Sequence, residues 1–483
     1  MQDLLSQAYD PEAFRQQGHQ LIDQLADYLA QARAGTALPV MPWREPAEQL
    51  ARWQQESGQP NDATDPLALL QAVVQESIHL HHPRYMGHQV CAPVPLAALA
   101  GLVSNLLNNG AAVYEMGSVS TALEKIVVGE LARAIGFPLD ADGVLTSGGT
   151  LANLTALLAA RQLKAGFNAW HEGTEPRLAL LVSEEAHYCV SRAVKVMGWG
   201  EGGIIKVPVN DRFQIRLDAL EDCKAQAEAE GRQVIAVVGS ACSTSTGAYD
   251  DLNGLADFCD RHGLWLHVDG AHGGGVVFSE KYRSRVRGLE RADSVAIDFH
   301  KMLMTPALVT GLVFRQGKHA YASFAQRAQY LLGDTPEDEW YNLAHRTYEC
   351  TKLMMSLKVY TLLRTYGPAL FAQNVDRLYD LAQTFAQKIQ AHPQFQLPVA
   401  PQANIVCFRY CPEGEADLNA LNRRIRRQLL EEGNFYIVQT QLGSDVYLRT
   451  TLMNPFTSET DLDALLTEVE RIGTTTQTTR VEA

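Results

Sequence analysis

What this chain most plainly lacks is a long apolar run. A membrane-spanning helix needs roughly 20 consecutive apolar residues, and segments such as Val234–Val238 and Ile297–Leu303 are too short or too polar. Excess positive charge is missing too. Lysine and arginine total 41 against 55 aspartates and glutamates, a net charge of −14, and the basic residues are scattered. Neither nucleic acid nor an anionic membrane is therefore expected as a partner. Cysteine is sparse: there are eight, none in a Cys-x-x-Cys pair, and Cys407 and Cys411 stand four apart with no second pair. That pattern supports neither a disulfide framework nor a zinc site, so no metal is expected and a reducing cytoplasm is the natural home. The opening Met1-Gln-Asp-Leu-Leu has neither the basic start nor the apolar stretch of a secretory leader. No glycine fingerprint opens a βαβ unit, which disfavours a dehydrogenase.

What is present is the balance of an ordinary globular protein, 46% hydrophobic and 20% charged over 483 residues, enough for two or three domains. Apolar residues recur at helical spacing in Phe14–Leu29 and Leu67–Leu80. The proline-bearing stretch Ala34–Pro60 between them reads as a loop or wrapping linker. A long middle section alternates helical segments with short β-branched runs: Leu178–Ser183, Gly203–Val207, Val234–Val238, Leu264–Val268, Ser294–Ile297 and Leu312–Phe314. That alternation predicts a mostly parallel sheet with helices on both faces. Helical patterns over Leu353–Tyr366 and Ala369–His392 lead to a smaller α+β part. Its strands are expected at Asn404–Tyr410 and Val446–Leu452, with a helix at Glu459–Arg471 and a frayed tail at Thr474–Thr479.

Four segments carry chemistry. In Leu264-Trp-Leu-His-Val-Asp-Gly-Ala-His-Gly-Gly-Gly275 an apolar strand ends in Asp269, and a carboxylate there points into the crevice where parallel sheets bind ligands. The glycines would let a flat ligand lie close to the backbone. The bland alternative is an Asp capping a turn, of about equal weight for this segment alone. In Arg291–Met302 a second strand-like run ends in His300-Lys301. A partly desolvated lysine there would have its pKa pushed down and could attack an aldehyde. Most His-Lys pairs are plain surface residues, but here the apolar Met302, Leu303, Met304 and Pro306 point to a buried segment immediately after the pair. In Gly143–Leu158 a strand runs into Ser147-Gly148-Gly149-Thr150 and an amphipathic helix begins at once, presenting N–H groups to an anion. An N-cap by Thr150 would explain the same residues. Finally His187 comes after the Leu178–Ser183 strand, where an imidazole could stack on a planar ring, although a lone histidine after a strand is more often structural. Taken together they supply what pyridoxal 5'-phosphate needs: an amine, a partner for the pyridinium nitrogen, a ring-face group and a phosphate cradle.

On these residues the chain resembles the group II pyridoxal-phosphate-dependent decarboxylases, which include glutamate, cysteine-sulfinate, aromatic-amino-acid and 2,4-diaminobutyrate decarboxylases. The likeness runs from about His82 to the C-terminus. Its marks are His82-Pro-Arg-Tyr-Met-Gly87, Thr146-Ser-Gly-Gly-Thr-Leu-Ala-Asn153, Ala186-His187, Val268-Asp-Gly-Ala271, and Asp293-Ser294 with His300-Lys301. The resemblance implies the aspartate-aminotransferase-like fold (fold type I), with an N-terminal arm over 1–85, a large cofactor domain over 86–352 and a small domain over 353–483. It implies that Lys301 is the Schiff-base lysine, Asp269 pairs with the ring nitrogen, His187 stacks on the ring and Ala271 packs on its other face. Ser147, Gly148, Gly149, Thr150 and His300 would lie near the phosphate. Thr244 would lie near the cofactor, because Cys242–Asp250 looks like the family's Thr-Thr…Gly-Ala-x-Asp segment. Tyr85 and Arg449 fall to the substrate by the same likeness.

The sequence departs from the family in two places. Many relatives have Asn-Pro before His-Lys where this chain has Asp298-Phe299. A carboxylate beside a phosphate is unfavourable, so Asp298 is expected to point elsewhere or to meet a cation. The loop Phe324–Arg346 does not align well with mammalian members; by likeness one of its tyrosines, Tyr341 ahead of Tyr330, closes over the site and returns a proton to the substrate carbon. The expected reaction is decarboxylation of an L-amino acid through the Lys301 Schiff base and a stabilised carbanion, with acidic, 2,4-diaminobutyrate and aromatic substrates all open. An aminotransferase is the alternative, since the same Lys, Asp and His serve both reactions. A catalytically silent binding protein on this fold is the second alternative, opposed by the intact Lys301, Asp269 and His187. The amphipathic arm implies a homodimer.

Overall fold

The computed structural model describes residues 3–57, 65–173, 177–324 and 339–481. The chain divides into two compact units, one made of 89–383 and 399–406, the other of 1–88, 384–398 and 407–483.

The first of these units is built on a seven-stranded sheet. Its strands are β1 (Asp142–Thr146), β2 (Arg177–Ser183), β3 (Ile204–Val207), β4 (Arg232–Ser240), β5 (Trp265–Asp269), β6 (Ser294–Asp298) and β7 (Thr310–Phe314), in the order β1-β7-β6-β5-β4-β2-β3. Strands β2 to β6 pair in parallel, while β7 runs antiparallel to both β6 and β1. The mostly parallel sheet predicted from the alternation is therefore present. Strands β1, β6 and β7 are buried at every position, as they must be when helices cover both faces. Helices Gly149–Lys164, Tyr188–Val196, Leu220–Ala229 and Leu252–His262 form the crossovers. Between β5 and β6 the chain makes three 3₁₀ turns, Gly273–Phe278, Arg283–Val286 and Leu289–Arg291. The glycines there do not open a path for a ligand. A Cβ on Gly274 would lie 2.6 Å from Ile297 Cγ1 and one on Gly275 3.1 Å from Leu303 Cδ2, so they let the turn press on the core instead.

The second unit holds helices Pro11–Ala34, Pro46–Ser57 and Pro66–Glu76, a sheet ordered β10-β11-β9-β8, and helices Leu418–Glu432 and Glu459–Val481. The added strands are β8 (Phe395–Gln396), β9 (Ile405–Tyr410), β10 (Val438–Leu442) and β11 (Asp445–Thr451). Two expectations are corrected. The stretch read as a linker contains the Pro46–Ser57 helix: its proline opens the first turn, where no N–H is needed, and does not break the helix. The threonine-rich tail continues the last helix to Val481. No helix among the described residues is long and apolar enough to cross a membrane.

Candidate active site

Strand ends bring the chemistry together. Asp269 closes β5, and His300 and Lys301 come just after β6; β5 and β6 are neighbours, with Asp269 paired to Ala296. His187 comes after β2, Thr244 after β4, and Ser147–Thr150 after β1. Ser147, Gly148, Gly149, Thr150, His187, Thr244, Asp269, Ala271, His300 and Lys301 all border one cavity of about 240 Å³. Every residue assigned to the cofactor by likeness thus lies on one opening. Among the loop candidates, the described Tyr341 is not one of the residues lining it. Tyr341 packs edge-on to Tyr114 at 5.4 Å and to Trp340 at 6.0 Å. Tyr330 lies outside the described residues. Tyr85 and Arg449 belong to the other unit, where Tyr85 stacks on Tyr436 at 5.5 Å and Arg449 lies buried in β11.

The segment expected to hold the phosphate is a helix start without a side-chain cap. The cap position is Gly148, at φ +126°, and no side chain bonds to the first turn, so the Thr150 cap does not form. The leading N–H groups of a helix have no partner within it, and here they begin at the cavity wall. A Cβ on Gly149 would sit 3.3 Å from both Ala271 Cβ and Asp298 Oδ1, so glycine keeps this wall open. The Ser147 hydroxyl donates to Glu349 Oε1 at 3.0 Å.

Asp298, the departure from the family pattern, does meet a cation. Its Oδ2 lies 3.1 Å from Lys301 Nζ and 3.6 Å from His300 Nε2, and Thr310 donates to its other oxygen. The lysine expectation needs correcting. Desolvation, the largest influence on Lys301, works to lower its pKa, but the carboxylates of Asp298 and Asp269 together outweigh it and raise it above the usual lysine range. Attack on an aldehyde requires the neutral amine, so cofactor capture should quicken as pH rises. Asp298→Asn removes one of those carboxylates and should move that rise to lower pH. Stopped-flow absorbance of apoprotein mixed with cofactor across pH would measure it; an unchanged midpoint would remove Asp298 from this role.

His187 is the N-cap of the Tyr188–Val196 helix, its Nδ1 accepting the Cys189 N–H at 3.3 Å. The bond leaves Nε2 to carry the ring proton and holds the ring at the cavity. Burial, the main influence, lowers its pKa, with Asp269 opposing, so the imidazole is neutral at pH 7. Asp269 is held at both oxygens: Oδ1 accepts the Ala271 N–H at 3.1 Å and Oδ2 accepts Asn153 Nδ2 at 3.1 Å. Asn153 stood in the Thr146–Asn153 motif without a role. Its partner His267 was missed altogether, although alternation along β5 puts Trp265, His267 and Asp269 on one face.

An uncapped helix start, a half-buried amine and a doubly held carboxylate around one cavity suit a small phosphorylated aldehyde with a basic ring nitrogen. Pyridoxal phosphate is such a molecule, and these residues fit it. Comparison with known proteins agrees. The family model described as the pyridoxal-dependent decarboxylase conserved domain matches residues 56–411. An L-2,4-diaminobutyrate decarboxylase of Acinetobacter baumannii is 28% identical over 83% of this chain and 82% of its own. An L-aspartate decarboxylase of Metarhizium robertsii is 30% identical over 75% of this chain and 73% of its own. The crystal structure of mouse CSAD superposes with a TM-score of 0.87 at 26% identity, covering 96% of this chain and 99% of that one. With three quarters of the chain inside the family model and the cofactor's requirements met around one cavity, the protein belongs to the pyridoxal-dependent amino-acid decarboxylases.

Proposed function

We propose that Lys301, Asp269 and His187 carry out the decarboxylation of an L-amino acid in a homodimeric cytoplasmic enzyme. When bound, pyridoxal phosphate would supply an electron sink for loss of the α-carboxylate. Lys301 would hold the cofactor covalently, and Asp269 would keep the ring nitrogen protonated by accepting its N–H. His187 would stack on the ring face. The start of the Gly149–Lys164 helix, with His300, would hold the phosphate end, and Thr244 would lie near the cofactor. Carbon dioxide leaves, and one proton returns to Cα to give the amine. Tyr341, on the loop that likeness assigns to closure, donates that proton, and Tyr85 and Arg449 contact the substrate. The observation that carries this reading is that Lys301 and Asp269 border a single cavity from adjacent strand ends.

The dimer is supported by apolar surface. The Pro95–Leu107 helix leaves Leu99, Leu102, Val103, Leu106 and Leu107 exposed, and the first helices leave Phe14, Ile22 and Leu25 exposed. Such surface is covered when two copies pair. We propose that residues 1–85 act as an arm around the partner, ahead of a cofactor domain over 86–352 and a small domain over 353–483.

The test is carbon dioxide release from a panel of acidic amino acids, L-2,4-diaminobutyrate and aromatic amino acids. At least one should yield carbon dioxide and the matching amine in equal amounts, and its identity sets the substrate class. Release from none of them would sink the reading. With the active substrate, Tyr341→Phe should slow amine formation and raise the share of aldehyde and ammonia while the cofactor's visible spectrum stays unchanged. An unchanged amine yield would mean that the proton comes from another group, with Tyr330 and then His187 the next to vary.

A further inference from the structure

Behind Asp269 a line of hydrogen bonds runs away from the cavity into the sheet. Asn153 Nδ2 lies 3.1 Å from Asp269 Oδ2, and Asn153 Oδ1 lies 2.6 Å from His267 Nε2. His267 Nδ1 lies 2.9 Å from Ser294 Oγ, and Trp265 Nε1 lies 2.9 Å from that same oxygen. Asn153, His267, Ser294 and Trp265 are all at most 1% exposed.

The direction of every bond is set by the end of the line. A carboxylate only accepts, so Asn153 must turn its NH₂ toward Asp269 and its carbonyl oxygen toward His267. His267 must then donate through Nε2–H. Burial, with Asp269 opposing, lowers its pKa to about 4, so a neutral ring has no second proton and Nδ1 accepts. The Ser294 hydroxyl is the donor to Nδ1, and its oxygen receives the Trp265 N–H. The 3.2 Å approach of Nδ1 to the Ser294 carbonyl is then a contact without a proton. Each group points its donor toward Asp269, and the far end is an indole buried against Phe314. The Cys189 thiol, whose pKa burial raises to about 12, adds a weak S–H donor at 3.9 Å from Oδ2.

We propose that Asn153, His267 and Ser294 are positioning residues for the reaction: a one-way donor relay that fixes the plane of the Asp269 carboxylate and keeps it the acceptor for the cofactor's ring N–H. This rests on the reading of Asp269 given above. A carboxylate left to rotate could turn its lone pairs away from the ring nitrogen or toward Lys301. The relay resists this because turning Asp269 would break the Asn153 NH₂ bond to Oδ2 at a side chain only 1% exposed, leaving it the weaker acceptor Cys189 Sγ at 3.3 Å.

The test uses variants of the full-length protein, with cofactor affinity read from the visible absorption of apoprotein titrated with pyridoxal phosphate, alongside kcat. Asn153→Ala should weaken cofactor binding and lower kcat each by about tenfold, the scale of one hydrogen bond to a charged group. In an Asp269→Asn background, Asn153→Ala should change neither quantity further, because its effect passes through the carboxylate already lost. Additive losses in that background would overturn the proposal and leave Asn153 as core packing. Ser294→Ala removes only a hydroxyl remote from the cavity and guards against misfolding of the Asn153 variant. It should reproduce both losses at reduced size and be silent with Asp269→Asn, and an effect on thermal stability alone would count against the relay. The direction of the line has its own check. Nitrogen-15 NMR of the apoprotein should find His267 protonated at Nε2 and bare at Nδ1 from pH 6 to 8, and the opposite tautomer would overturn the assignment. Failure of Asp269→Asn itself to impair the enzyme would instead strike the underlying role of Asp269.

Discussion

Lys301→Ala should abolish turnover, by on the order of 10⁴-fold or more, the scale of removing the group that makes the covalent link. The fold should survive. Lys301 lies at the cavity wall, and its loss leaves the Asp298 carboxylate, 2% exposed in its side chain, facing His300 and Thr310. Some destabilisation, of roughly 1–3 kcal/mol for a buried polar group losing a partner, is therefore expected beside the loss of activity. Borohydride reduction of the loaded wild-type protein should fix the cofactor to the peptide carrying Lys301. Cofactor captured on another peptide, or a wild-type visible band in the variant, would move the site to a different lysine.

Asp269→Asn should leave the cofactor attached but lower kcat by ~10²-fold or more, as for loss of one oriented electrostatic group in a closed site. The amide fails for two reasons. It carries no charge to hold a proton on the ring nitrogen. It also has one acceptor oxygen where two are in use: Ala271 N–H binds one Asp269 oxygen and Asn153 NH₂ the other. An asparagine must therefore leave a donor unpaired or turn its own NH₂ toward the ring, where it repels the ring N–H. Steady-state kinetics with the substrate found in the panel, together with the visible spectrum, decide this. Near-normal kcat would reduce Asp269 to a residue that caps the turn at Ala271.

The cofactor end of the site was legible in the sequence because short motifs fix local backbone. A strand followed by Ser147-Gly-Gly-Thr150 must make a helix start. A β-run ending in Asp269 or leading into His300-Lys301 must deliver its last side chains to the sheet's edge. The surroundings of those groups were not legible. The pKa of Lys301 depends on how close Asp298 and Asp269 come in space, and a desolvation argument alone predicted its direction wrongly. Asn153 and His267 stand 114 residues apart, and only the pairing of strands with the Gly149–Lys164 helix makes them neighbours. The glycines after Asp269 looked like room for a ligand, yet β6 and Leu303 occupy that room.

The sequence by itself determined the class of fold, the cofactor and the residues at each strand end, because hydrophobic period and turn chemistry act over a few residues and do not depend on the rest of the chain. The tertiary structure alone decided which carboxylate neutralises the lysine, which way His187 carries its proton, and that Asp269 is braced from behind. Those are matters of distance between segments far apart in the chain, and in a buried site charge interactions and hydrogen bonds change steeply with fractions of an ångström.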